Sequence, residues 1–410
     1  MRKNKIIDKK HIIFAATFFM WFSIYTYQSN FTPYLESLEF SPAMIGLIIG
    51  SYGFTQMLLR IPVGILSDKL GTRKLFIIIG ITFTFLSALF LFLSKNVLVV
   101  LFARASAGIA ASTWGSFMVL FSSYHDKDKA VKAVGTIDFF NNTGQLGGII
   151  CGSLLVSFTV FKDKAAFVLA MAVGIMAFIL AFFIYEDREK LKRSSAPNAN
   201  ITPAPDSRQA ANPISKKSKI KEILSNKTLI IVSVIGAVSQ LITFSTIFGF
   251  TPAYAKETFG ANALQNGTLM VFSYLPTAFG ALFLGRFLAG KIKEYKLVFI
   301  GMLLLGLTTI LIPFIKIYAL LIITQIIAGF GKGISFPLLM GLSIKKISEN
   351  ARGTAMGIFQ AFYSFGMFFG PFISGIIKER FELGAAFILI GTVCFACSVI
   401  SYFSLKKLDL

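Results

Sequence analysis

The chain has only three cysteines and two histidines among its 410 residues. Cys151, Cys394 and Cys397 all fall inside apolar runs, so neither a disulfide framework nor a zinc site is expected. The Cys394-x-x-Cys397 spacing reads as helix packing. His11 and His125 form no metal-ligand spacing. Phosphate-loop chemistry is missing as well. Gly331-Lys332-Gly333 has no glycine at the required upstream spacing and no Ser or Thr after the lysine. These absences argue against an enzyme and against a nucleotide-driven pump, and no cofactor or metal is expected. Charge is scarce too: 14% of residues are charged, against about 25% in soluble domains.

What fills the space is apolar. Hydrophobic residues make up 55% of the chain, and mean hydropathy is +0.74. The excess falls in runs of roughly 18–25 residues, long enough to cross a bilayer core as helices. Twelve such runs centre near residues 20, 53, 84, 109, 145, 175, 238, 277, 306, 330, 365 and 394. The expected fold is an all-α polytopic membrane protein of twelve transmembrane helices. The first run follows MRKNKIIDKKH with no small-residue cleavage site, so it reads as an uncleaved helix.

The net charge is +21, which in a soluble protein would suggest nucleic acid. Its placement gives another meaning. Of 40 Lys and Arg, 29 lie in the N-terminus, the even-to-odd loops, the central linker and the C-terminus, and seven in the opposite loops. Basic residues in short loops stay cytoplasmic during insertion. Both termini are therefore expected in the cytoplasm, in a multi-pass protein of the cell membrane with no nucleic-acid partner. Short loops, many lysines and few cysteines fit a bacterial source.

Residues 186–227 break the apolar pattern. They are charged, then rich in Pro, Ser, Asn and Ala, then basic, as in a disordered linker. Its end, SKKSKIKEIL, is expected to form a short basic amphipathic helix on the membrane surface. Six helices precede the linker (residues 1–185) and six follow it (228–410). The halves repeat one another. Phe31-Thr32-Pro33 returns as Phe250-Thr251-Pro252, Arg60 and Gly64 as Arg286 and Gly290, Ala107-Gly108 as Ala328-Gly329, and Gly135, Gly144 and Gly148 as Gly357, Gly366 and Gly370. The near-constant offset and even helix number imply parallel six-helix repeats, with a site where they meet.

The loop GILSDKLGTRK has Gly64, Leu66, Asp68, Gly71, Arg73 and Lys74 in a spacing that resembles the hallmark loop of the major facilitator superfamily. The resemblance implies a cytoplasmic latch that joins the halves in one access state. Asp68 can accept from a helix N-terminus or an arginine, and Gly71 permits a tight turn. Arg104-x-x-Ala107-Gly108 resembles a second motif whose arginine is tied to proton movement. Arg104 lies about 10 Å inside its helix at 1.5 Å per residue, so it either meets a cavity or partner or snorkels to the outer interface. Gly135, Gly144, Gly148 and Gly152 resemble the antiporter motif, with Ile149 where proline is expected; Gly357, Gly366, Gly370 and Pro371 fit better. Glycines at these spacings serve close helix packing. Taken together, the likeness is nearest to twelve-helix drug and metabolite exporters, expected to act as monomers.

Inside GTIDFFNNTGQLGGIICG (135–152), Asp138, Asn141 and Gln145 share an arc of about 80° with Gly148 and Gly152. A carboxyl withdrawn from water holds its proton more firmly. Asp138 is therefore the first candidate for proton coupling, or else the partner of a buried cation. Lys332, about 18 Å from the cytoplasmic end of its helix at 1.5 Å per residue, is that possible cation, or it holds an anionic substrate. Tyr25, Gln28, Trp114, Gln240, Tyr274, Gln360 and Tyr363 complete the candidate substrate site. The expected function is alternating-access transport of a small organic solute, coupled to protons and running as efflux. An organic-anion or nutrient uptake carrier of the same fold is the alternative.

Overall fold

A computed structural model describes residues 2–125, 130–187, 225–288, 290–347 and 352–408. Most of the 186–227 linker, including the basic stretch at 215–224, lies outside them. The described chain is helical throughout, in an order that follows the apolar runs. α1 covers Arg2–Tyr25, α2 Pro42–Leu70, α3 Lys74–Leu93, and α4 Val97–Ser123 with a break at Thr113. α5 covers Ala130–Phe158 and α6 Asp163–Phe183. After the linker come α7 (Lys227–Phe259), α8 (Ala263–Phe283), α9 (Glu294–Leu311), α10 (Tyr318–Lys345), α11 (Arg352–Arg380) and α12 (Leu383–Lys407).

Nine of these, among the described residues, are long and apolar enough to cross a membrane. α1, α5 and α8 have similar lengths but more polar sequences. α5 carries Asp138, Asn141, Asn142 and Gln145 along its length.

Local sequence sets the ends. Ser41 caps α2, accepting from the Met44 amide, with Pro42 in the first turn where its missing N–H costs nothing. Gly71 ends the same helix at φ 62°, in the left-handed region. Asn262 and Gln265 form a capping box at the start of α8.

Glycines set the helix spacing. A Cβ on Gly144, Gly148 or Gly152 of α5 would strike the backbone carbonyls of Phe18 and Phe22 on α1 and of Thr26 just beyond its end. On α11, Gly366 and Gly370 bear in the same way on Ala237 and Leu241 of α7. The repeat seen in sequence is thus a repeated helix pair, α5 on α1 and α11 on α7. A further glycine series joins the halves: Gly46, Gly50 and Gly53 of α2 lie against Pro371, Phe368 and Met367 of α11, and Gly375 returns the contact at Pro42.

Two faces differ. One carries the start of α1, the end of α6, the start of α7 and the end of α12; here it is called the linker face. The α2–α11 seam is closed from Pro42 as far as Arg60, which meets Gln360 and Tyr363. The α5–α8 seam is closed from Ser153, against Gly267, as far as Gln145, against Tyr274. Beyond these points, toward the linker face, Gly64, Gly135 and Gly357 have nothing within 4 Å of a built Cβ. The close packing expected of Gly135 and Gly357 is therefore absent in this state, and the halves part on the linker face.

Candidate functional site

The helices meet at mid-depth in a cluster of rings. Tyr25 of α1 lies 5.8 Å from Phe248 of α7 and 6.1 Å from Tyr274 of α8, centroid to centroid. Phe248 and Tyr274 are 5.7 Å apart, and Tyr52 of α2 stacks on Phe244 at 5.9 Å. Trp114, half-buried just after the break in α4, meets Trp21 edge to face at 5.7 Å. These edge-on pairings suit the ring quadrupoles.

Two cations flank the cluster. Arg104 is 2% exposed, with its guanidinium over the rings of Tyr52 (4.6 Å) and Phe31 (5.2 Å). Its Nε and Nη1 are buried without a hydrogen-bond partner. Snorkelling is thereby corrected: the side chain turns inward between α2 and the short helix Phe31–Ser37. Lys332 of α10 lies over the Phe248 ring at 5.7 Å. Among the described residues no ion pair joins it to Asp138 or to any other acid, so the fixed Asp138–Lys332 pair is not formed.

Gln28 and Gln240 are both buried. Gln28 reaches the other half, donating from Nε2 to the Phe248 carbonyl at 3.1 Å. That carbonyl is available because Thr246–Phe250 forms a π-helical turn. Thr32 donates to the next freed carbonyl, Gly249, at 2.5 Å. Gln240 Oε1 has no partner. Gln360 and Tyr363 are corrected as open ligands: both are taken up by Arg60, with Gln360 Oε1 at 2.9 Å and the Tyr363 hydroxyl closer still. Arg60 also binds Gln56. It entered the sequence reading only as a repeated position, because periodicity reveals a residue's face but not its partner.

Asp138 sits on the linker side of this centre, exposed where α5 and α8 part. Its carboxylate accepts from Asn141 Nδ2 (3.1 Å to Oδ1) and Asn142 Nδ2 (3.0 Å to Oδ2). The next rung runs from Gln145 Nε2 to Asn141 Oδ1. Tyr274 of the other half completes the ladder, donating to Gln145 Oε1 at 2.6 Å.

The GILSDKLGTRK loop is engaged within its own half. Asp68 pairs with Arg73, which also binds Ser67. Glu186, at the end of α6, accepts from the Thr72 hydroxyl and the Arg73 and Lys74 amides. The Lys74 ammonium donates to the Phe182 carbonyl. A carboxylate at the amino end of α3 meets the positive end of the helix dipole. None of these bonds crosses to the second half, in keeping with the open linker face.

On the opposite face the halves are clamped. Lys378 of α11 bridges Glu36 of the first half (2.7 Å) and Glu257 of the second. Glu379 accepts from the Ala43 amide at 3.1 Å. A cleft of about 470 Å³, lined by Glu36, Phe40, Lys256, Glu257 and Lys378, opens above this clamp, away from the aromatic cluster.

The sequence model of the Major Facilitator Superfamily matches residues 13–294 and again 235–409. The chain belongs to this superfamily. It is a multi-pass membrane transporter of small molecules, not an enzyme. Among curated relatives it is 23% identical over 360 residues to the proton-coupled antiporter flippase LtaA of Staphylococcus epidermidis, spanning 84% of this chain and 83% of that one. It is 25% identical to the probable galactarate/D-glucarate transporter GarP of Escherichia coli, over 100% of this chain and 98% of that one. Among solved structures, a bacterial homologue of the human lysosomal transporter Spinster, inward-facing and unoccupied, superposes with a TM-score of 0.74 at 14% identity, covering 99% of this chain and 98% of that one. At that identity the likeness is one of fold. The open side of this superfamily member is the linker face.

Proposed function

We propose that the protein is a proton-coupled carrier of amphiphilic organic anions that works by alternating access. The observation that carries this reading is Arg104, a guanidinium 2% exposed whose Nε and Nη1 lack partners. An intramembrane arginine costs about 2.5–3.5 kcal/mol on insertion scales. Its placement against aromatic rings, with no acid among the described residues paired to it or to Lys332, suits a ligand that brings its own negative charge and an apolar body. This favours the anion carrier over an exporter of lipophilic cations. The relatives LtaA, a proton-coupled antiporter, and GarP, named for dicarboxylate sugar acids, support coupling to protons and an anionic cargo respectively.

The Lys and Arg distribution makes the linker face cytoplasmic, so the state described is open inward. Closing it would bring Gly64 and Gly357 together while the Lys378 clamp opens. The latch would then trade its contacts inside the first half for contacts across the gap. Protonation of Asp138 biases which state is stable, and coupling follows only where proton and cargo favour the states unequally.

The test is a panel of size-matched amphiphiles, carboxylates or phosphates beside quaternary ammonium analogues, in proteoliposomes with an imposed pH gradient. Accumulation of the anions and not the cations is expected. Asp138→Asn should abolish uphill accumulation and keep downhill exchange. Accumulation of cations alone would overturn the reading.

A further inference from the structure

The geometry points to a one-way chain of hydrogen bonds between the aromatic cluster and Asp138 as the device that makes proton and anion bind together. Gln145 and Tyr274 are its positioning residues. The inference rests on the proton-coupled anion reading above.

Every donor in the chain faces the same way. Tyr274 O–H donates to Gln145 Oε1 (2.6 Å), Gln145 Nε2 to Asn141 Oδ1, and Asn141 Nδ2 to Asp138 Oδ1 (3.1 Å). Asn142 Nδ2 donates to the other carboxylate oxygen at 3.0 Å. Two donors aimed at the two oxygens suit the ionised carboxylate, which accepts only. Bonds linked head to tail polarise one another, so each donor strengthens the next toward the carboxylate. Tyr274 stands at the far end, within hydrogen-bonding reach of Tyr25 and beside Phe248, on whose ring Lys332 rests.

A proton arriving from linker-face water converts one Asp138 oxygen from acceptor to donor. Asn141 then has to present its carbonyl. That turns its amide toward Gln145, Gln145 in turn donates to the Tyr274 oxygen, and the Tyr274 O–H is released to donate into the aromatic cluster. One O–H bond forms at Asp138 and none is broken along the chain; the amides only rotate. An anion is the natural acceptor for the released hydroxyl. In reverse, an anion that takes the Tyr274 donor strips Gln145 of it and weakens the support of the carboxylate, so Asp138 binds its proton more tightly. Proton and anion therefore travel together, as in symport.

Among the described residues, the titratable or charged groups on the elements packed against α5 include Lys10, His11 and Tyr25 from α1, Tyr124 and His125 at the end of α4, Asp163 and Lys164 from α6, and Tyr274 from α8. Lys10 is engaged with His125 at 2.9 Å. Among the described residues, the carboxylate's hydrogen-bond partners are Asn141 and Asn142.

The experiment needs no cargo. The full chain in lipid vesicles is titrated with pH while the protonated-carboxyl stretch is followed by infrared difference spectroscopy, with Asp138→Asn identifying the band. Gln145→Leu and Tyr274→Phe should each raise the pH of half-development by about half a unit, roughly threefold in proton affinity. The double variant should shift it no further, since both cut one chain. An unmoved midpoint in either single variant, or additive shifts, would overturn the chain. Tyr274→Phe keeps the ring packing and decides the matter if Gln145→Leu does not fold. Failure here leaves the anion reading to be judged by the amphiphile panel, which does not depend on this relay.

Discussion

Arg104 illustrates how a residue can be retained against its own stability. Leaving a buried N–H without a partner costs about 1–3 kcal/mol, more when the group is charged. Arg104 has two such nitrogens, Nε and Nη1, at 2% exposure. Arg104→Met fills similar space without the charge, so it should raise the melting temperature, in line with a gain of about 1–3 kcal/mol, and eliminate anion accumulation. Thermal unfolding in detergent together with the transport assay checks both halves of that statement; a variant that melts lower and transports normally would contradict it. The sequence showed that Arg104 is intramembrane but left its direction open, because helical spacing cannot say whether a neighbour offers a ring, an acid or lipid. Arg60 was missed as a functional candidate for the same reason. Its partners Gln360 and Tyr363 lie 300 and 303 positions away, and neither is marked by charge.

Glycine spacing was the most legible signal of helix pairing, yet it was legible only in part. Gly144, Gly148 and Gly152 announced a close neighbour; that the neighbour is α1, and that its carbonyls are the surfaces approached, required the fold. The α2 series Gly46, Gly50 and Gly53 went unread, although it faces α11 across the halves. Had its spacing been set beside that of Gly366, Gly370 and Gly375, the seam could have been proposed. Gly148→Val should push α5 off the Phe22 carbonyl and destabilise the first half by about 1–3 kcal/mol, as overpacking does. Gly135→Val meets open space in this state, so its effect should appear in the transport rate rather than the melting temperature. Equal loss of stability in the two variants would show that the linker-face ends are packed together after all.

For the molecule as a whole, the structure shows the opposite-face clamp closed, and the alternating access proposed above requires it to open before the linker face can close. Lys378 is the joint of that clamp, serving one acid from each half. Lys378→Ala leaves Glu36 and Glu257 facing each other with the cation that bridged them gone and Lys256 alone nearby. It should shift the population toward the state open on the opposite face. Spin labels on the outer ends of α2 and α8, read by pulsed dipolar spectroscopy, should report longer distances, with labels near Gly64 and Gly357 moving closer. No change in either pair would mean that the glycine seam alone sets the resting state.

The two tryptophans have a practical consequence. Trp21 and Trp114 are the whole indole complement of the chain, and they touch each other beside Tyr25, at the aromatic cluster. The tryptophan emission of the unlabelled protein, excited at the red edge where tyrosine no longer absorbs, therefore comes entirely from the place where cargo is proposed to bind. A ligand that parts these rings alters the dielectric around both emitters at once, so the carrier contains its own optical probe, ready for screening unlabelled compounds by fluorescence.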